Sequence, residues 1–171
     1  MTDARGAGAP ALLDEAMRLH QQGNLEQATN FYSEALKQEP NNSQALRLYG
    51  ILAREIGNHE LSLKLLINLA KLQPENSIAH DEIGLTYMAS GHLDDAANAL
   101  DHALGIDPNS LRTLSNKGAL LHFRGRAAEA VAIYRKALAI DPGDIDTQCN
   151  LAKALADSGA AEAGIKLCNS A

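Results

Sequence analysis

Asp107-Pro108-Asn109 decides how this chain is read, because prolines stand at the same offset on either side of it. Pro40, Pro74, Pro108 and Pro142 follow one another at intervals of 34 residues. A fixed period of this length marks a stack of like supersecondary units, in which one folding rule serves nearly the whole molecule. A second ladder, Gly23, Gly57, Gly91, Gly125 and Gly159, has the same period and falls midway between the prolines, so each unit is cut in two. Proline inside a helix removes a donor and clashes with the preceding turn at a cost of ~3 kcal/mol, whereas glycine takes the left-handed backbone that closes helices. Both ladders are helix ends, and the unit is a pair of helices.

Between these breaks the apolar residues keep a helical period. On the first helix of each unit, helix A, Leu46, Tyr49, Gly50 and Ala53 form an i, i+3, i+4, i+7 stripe. His80, Ile83, Gly84 and Tyr87, then Leu114, Lys117, Gly118 and Leu121, fill the same slots. The second helix, helix B, repeats Ala28, Tyr32, Ala35 as Ala96, Leu100, Ala103 and Ala130, Tyr134, Ala137. Gly50, Gly84 and Gly118 on helix A, with Ala16 and Ala152 in the same slot, leave room for a neighbouring helix to come close. Asn24, with Gln27 three residues on, has the form of an N-cap and capping box for helix B, and Asn58 and Asp144 are further cap candidates.

These residues resemble the tetratricopeptide repeats, of bacterial type, whose pattern joins a Leu-Gly and a later Tyr on helix A to a spaced Ala, Phe and Ala on helix B and a closing proline. The resemblance covers residues 9–171. Lys117 in an apolar slot and Leu69 in a slot where small residues are usual depart from the pattern. The family implies an all-α fold, a right-handed superhelical solenoid of antiparallel helix pairs. Residues 9–42, 43–76, 77–110 and 111–144 are the four full repeats, 145–171 an incomplete fifth, and 1–8 a mobile tail.

Composition narrows the function. A formal charge of −6 argues against a phosphate-backbone binder, which needs a basic stripe, so no nucleic acid is expected. No apolar run approaches the length of a membrane span, and the N-terminus has no hydrophobic signal core, which makes cytoplasmic residence the default. Cys149 and Cys168 read as two reduced thiols. The six histidines scatter over the repeat without ligand spacing; His20 and His122 share a slot three units apart. No phosphate-binding loop, nucleophile elbow or catalytic carboxylate pair is visible, so neither catalysis, a cofactor nor a metal is expected. Asp94-Asp95 reads as favourable charge at a helix start.

The remaining surface carries the functional expectation. If the helix A stripe is buried, the opposite face holds the second, fifth, ninth and twelfth residues of each unit, which stacking aligns along one concave wall. That wall offers Leu13, Met17, His20, Arg47, Ile51, Arg54, Asp81, Leu85, Met88, Arg112, His122 and Lys153, with Phe123 beside it. Apolar groups rimmed by arginines have the makings of a groove, although they would also serve if one helix A covered the next. The family holds peptides or helices of other proteins on this wall. Its clamp for an acidic chain terminus does not fit, because the required slots hold Leu13, Met17, Leu48, Ile78 and Glu82. Its asparagine ladder is present in part, at Asn116 and Asn150.

The expected function is therefore a non-enzymatic scaffold binding a peptide or helix of a partner protein. The alternative is the substrate-recruiting region of a larger enzyme, a protein O-glycosyltransferase or methyltransferase. The last stretch, with Ile165, Leu167 and Cys168 beside only Glu162 and Lys166, suggests that the natural chain continues or that this end self-associates.

Overall fold

A computed structural model describes residues 8–160. Residues 1–7 of the expected tail, and Glu162, Ile165, Lys166, Leu167 and Cys168 of the final stretch, lie outside the described residues. Within the described residues the chain forms helices joined by turns, without strands. The A helices are α1 (Ala9–Gln21), α3 (Ser43–Glu55), α5 (Ser77–Ala89), α7 (Leu111–Phe123) and α9 (Ile145–Asp157). The B helices are α2 (Leu25–Gln38), α4 (His59–Leu72), α6 (Leu93–Ile106) and α8 (Ala127–Ile140). Successive starts within each series are 34 residues apart, so the sequence period is also the structural one.

The glycine ladder closes the A helices as its chemistry requires. Gly23, Gly57, Gly91, Gly125 and Gly159 all have φ between 73° and 88°. At the first of them Gly23 N–H donates to the His20 carbonyl at 3.0 Å and Asn24 N–H to the Leu19 carbonyl at 2.9 Å, the paired bonds of a Schellman ending. The expected cap at Asn24 does not form. Its side chain accepts no backbone N–H and reaches instead toward Gln22, 3.5 Å away. Asn58 does cap α4, accepting from Leu61 N–H. Asp144 also caps, but at the start of an A helix, α9. It belongs to a ladder of its own: Asn42, Asn76, Ser110 and Asp144 each accept a backbone N–H three residues on.

The chain divides into two compact units, residues 1–90 and 91–171. In the first, α1 packs on α2 and α3 on α4, while α2 meets α3 and α4 meets α5. Tyr32 of α2 stacks on Tyr49 of α3, ring centroids 5.8 Å apart, and the His20 ring stands edge-on to Tyr32. The slot expected to admit a close neighbour does so: a Cβ on Gly50 would lie 2.8 Å from Leu66 of α4. Leu69 fills its small-residue slot as a buried core residue.

The A helices of this unit bury a second flank that the sequence stripe omits. Ala45 and Leu52 on α3, and Ala79 and Thr86 on α5, are closed to solvent. Thr86 and Ser62 of α4 pair their hydroxyls at 3.0 Å. The same slots on α1 hold Ala11 and Arg18, both exposed, because no helix precedes α1 on that side among the described residues; Arg18 pairs with Glu15 at 2.5 Å.

In the second unit α7 and α8 form a hairpin, α6 packs on α7 and α8 on α9. Its core gathers Leu121, Val131, Tyr134, Leu151 and Leu155. Gly118 sits under the Tyr134 ring so closely that a Cβ there would stand 2.5 Å from it. Lys117 resolves its place in an apolar slot by reaching Asp101 on α6. Arg124 likewise pairs with Asp94, which gives that helix-start acid a partner.

Candidate functional site

With two flanks of α3, α5 and α7 buried, and one of α1, a further face of these helices stays at least partly open. On α3 it presents Gln44, Arg47, Ile51 and Arg54, four side chains of intermediate or full exposure. On α1 the matching residues are Met17 and His20, and Gln44 donates to the Met17 sulfur at 3.4 Å, tying the two helices along this face. On α5 they are Leu85 and Met88, both half-buried. Two expected wall residues are set into the fold instead. Leu13 is only 6% exposed and belongs to the core, and Asp81 is 1% exposed.

The polar groups of this face in the first unit are mostly committed to one another. His20 Nε2 lies 2.7 Å from Glu55 Oε2, while its Nδ1 is 3.4 Å from the Tyr32 hydroxyl. Arg54 Nη1 donates to Glu82 Oε2 at 2.7 Å, across from α3 to α5, and Glu82 is almost wholly buried. Arg54 is thus the counter-ion of a buried carboxylate, a role that its slot does not advertise. Burial pushes the Tyr32 hydroxyl up to about 12; the Glu55 carboxylate pushes the same way and the Arg47 guanidinium opposes it. A hollow of about 380 Å³ opens among α1, α2 and α3, lined by Met17, Leu25, Tyr32 and Leu48 together with the polar Gln21, His20 and Glu55.

The second unit presents Arg112, Asn116, His122 and Phe123 from α7 and Asn150 and Lys153 from α9. Phe123 is 75% exposed, the most open large apolar side chain among those described. His122 Nε2 lies 2.6 Å from Asp157 Oδ2. That contact repeats the His20–Glu55 contact in another pair of neighbouring A helices, at the same separation of 35 residues. The shared slot of the two histidines is visible in sequence; their acid partners, one repeat and one residue further on, are not singled out by any motif. Cys149 is an exposed free thiol. No helix among the described residues is long and apolar enough to cross a membrane.

Two models of the tetratricopeptide repeat match the chain, one over residues 82–145 and the other over residues 19–85 and 121–171. Similar proteins include the PEX5-related protein of Rattus norvegicus, 27% identical over 108 residues, which are 63% of this chain and 18% of that one. The human PEX5-related protein is 27% identical over 99 residues, 58% of this chain and 16% of the other. The chain thus spans under a fifth of the length of these relatives. Among solved structures, a tetratricopeptide repeat protein of Parabacteroides merdae superposes with a TM-score of 0.83 at 22% identity, covering 98% of this chain and 65% of that one. A thermophilic protein of the same class from Thermus thermophilus gives 0.79 at 19% identity over 94% and 88%. MamA of Desulfovibrio magneticus gives 0.79 at 18% identity over 98% and 94%. A repeat model that spans more than half of the residues, on an all-α array of helix pairs with the same period, leaves one assignment: this chain belongs to the tetratricopeptide repeat family.

Proposed function

We propose that the chain is a protein–protein interaction scaffold that holds a peptide or helix of a partner protein along the open face of its A helices. The observation that carries this reading is the apolar character of that face. Ile51, Leu85 and Met88 in the first unit and Phe123 in the second stay partly or largely open although both flanks of these helices offer burial. Arrays of stacked repeats use such faces as extended binding surfaces, and apolar groups set among arginines supply the anchors that interfaces use. The open residues of this face in the first unit are Met17, His20, Arg47, Ile51, Leu85 and Met88; the second unit has an open face of its own with Arg112, Asn116, His122, Phe123, Asn150 and Lys153.

Because Arg54 neutralises Glu82, replacing it would disturb the fold and the face together. The test therefore uses the pairs Ile51→Glu with Met88→Glu, and Phe123→Glu alone. Affinity capture from the native lysate should lose its specific partner with either variant, while the far-ultraviolet circular dichroism stays at the wild-type value. Undiminished capture by both variants would move the binding surface elsewhere.

A further inference from the structure

The hollow among α1, α2 and α3 sets a carboxylate beside apolar walls. Met17 lines it from α1, Leu25 from α2 and Leu48 from α3, and Glu55 closes α3 at its edge. The Glu55 side chain is 46% exposed. Its Oε2 lies 2.7 Å from His20 Nε2, while its Oε1 accepts no hydrogen bond from the described residues. The histidine contact positions this carboxylate without having to cancel it. With the Tyr32 hydroxyl donating to His20 Nδ1 at 3.4 Å, an uncharged imidazole that carries its proton on Nε2 satisfies both neighbours.

Charge around the hollow is negative on balance. Asp14 is exposed on α1 one turn before Met17, on the same side of that helix. Arg47 is the opposing charge on α3, but it stands two turns before Glu55, about 12 Å along the axis, and does not line the hollow. Arg18 and Arg54 are engaged by Glu15 and Glu82. The complement of such a recess is a side chain with an aliphatic stem and a cationic tip. Lysine and arginine lay their methylenes along apolar surface while the charged head seeks oxygen, and their bonds to a carboxylate are charge-assisted.

We propose that the first unit recognises a basic segment of a partner protein, whose lysine or arginine side chain lies along Met17, Leu25 and Leu48 and brings its charge to Glu55 Oε1. Gln21, in the same lining, carries a second acceptor for the remaining donors. This rests on the reading of the open face as a binding wall and adds the chemistry of what binds there. The net charge of −6 draws a basic visitor in, so long-range steering and contact act in the same direction.

The test selects phage-displayed random peptides on the whole chain and measures the selected peptides by fluorescence anisotropy against three variants, each verified by circular dichroism. Glu55→Gln keeps an oxygen for His20 and removes the charge. Glu75→Gln, in the exposed turn before α5, removes the same charge away from the hollow. Ile51→Ala with Met88→Ala trims the wall without adding charge. The peptides are expected to carry Lys or Arg beside Leu, Ile or Phe, to bind Glu55→Gln about tenfold more weakly, a loss of ~1.4 kcal/mol, and to bind Glu75→Gln as they bind the wild type. Equal losses on Glu55→Gln and Glu75→Gln would mean that net charge alone attracts them, and would overturn the docked side chain. Peptides that lack Lys and Arg, or that bind Glu55→Gln undiminished, yet are lost on Ile51→Ala with Met88→Ala would overturn the basic occupant and keep the wall. Failure to enrich any peptide, or binding that none of the three variants weakens, would overturn the wall and this inference together.

Discussion

Gly118 and Gly50 occupy one slot in two repeats, yet they answer to different neighbours. Replacing either with alanine gains about 1 kcal/mol of helix propensity. Against that gain stands a Cβ that would meet Tyr134 at 2.5 Å or Leu66 at 2.8 Å. Leu66 is itself fully buried and yields only by repacking within the core, yet its branched chain needs a smaller shift than the Tyr134 ring, which can only be displaced as a body. Overpacking of a closed core costs about 1–3 kcal/mol. Gly118→Ala should therefore destabilise by about 1–2 kcal/mol and Gly50→Ala by less than half of that, as read from urea unfolding midpoints at unchanged slope.

The same tyrosine gives a pH signature. Burial raises the Tyr134 hydroxyl from 10.0 to about 12, and Tyr32 reaches about 12 as well. The folded chain thus holds these protons more firmly than the unfolded one. Their contribution is constant below pH ~10 and is lost as pH rises through the interval up to ~12, where the unfolded chain gives up protons that the fold retains. Melting temperatures should fall more steeply across that interval in the wild type than in Tyr32→Phe/Tyr134→Phe, which lacks both groups. Parallel curves would show that other groups govern alkaline unfolding.

Among the helices, the contact that matters most is one that the residue pattern hides. Arg54 lies in a slot that the 100° step assigns to the open face, and that placement is right as far as direction goes. What the step cannot supply is the reach of a long side chain across to Glu82, 28 residues on, in the next A helix but one element away. Removing one partner of a buried pair strands the other charge, which costs about 3–5 kcal/mol, while replacing both with apolar groups of like size is far milder. Arg54→Ala is expected to fall in that range, and Arg54→Met/Glu82→Leu to recover most of the loss. A double-mutant cycle on urea unfolding reads the coupling directly, and additive losses would deny it.

Helix ends show how much of the local design is legible and where it blurs. The proline and glycine ladders give the ends because each acts through a backbone property that no neighbour can override. Caps depend on one side-chain rotamer, and there identity alone misleads. Asn24 and Asn58 share a slot, yet only Asn58 accepts a backbone N–H. The ladder Asn42, Asn76, Ser110 and Asp144 has the same period as the prolines and lies two residues after each. A search for polar oxygens at the repeat's own spacing would have found it. Replacing any one of these four with alanine should cost about 1 kcal/mol, and Asn24→Ala markedly less, by thermal or urea unfolding.

Over the whole molecule the period is the organising fact, and it separates what sequence can tell from what it cannot. Slots fix which residues are buried, since Ala28, Tyr32 and Ala35 recur as Ala130, Tyr134 and Ala137 with the same near-zero exposure. They fix the face of Arg47, Ile51 and Met88 too. They do not say which charges on that face are already paired, because pairing crosses between helices and depends on side-chain length, as with His20 and Glu55.

A molecule assembled by nearest-neighbour contacts also has no single core through which a local defect must spread. Gly118→Ala strains the α7–α8 hairpin and the α9 helix packed on α8. Native-state hydrogen exchange should then show reduced protection for amides of α7, α8 and α9, while those of α1 to α4 keep their wild-type values, since local opening energies need not follow one global transition. A uniform loss across both units would mean that the chain unfolds as one cooperative body, and the additive description would have to be given up.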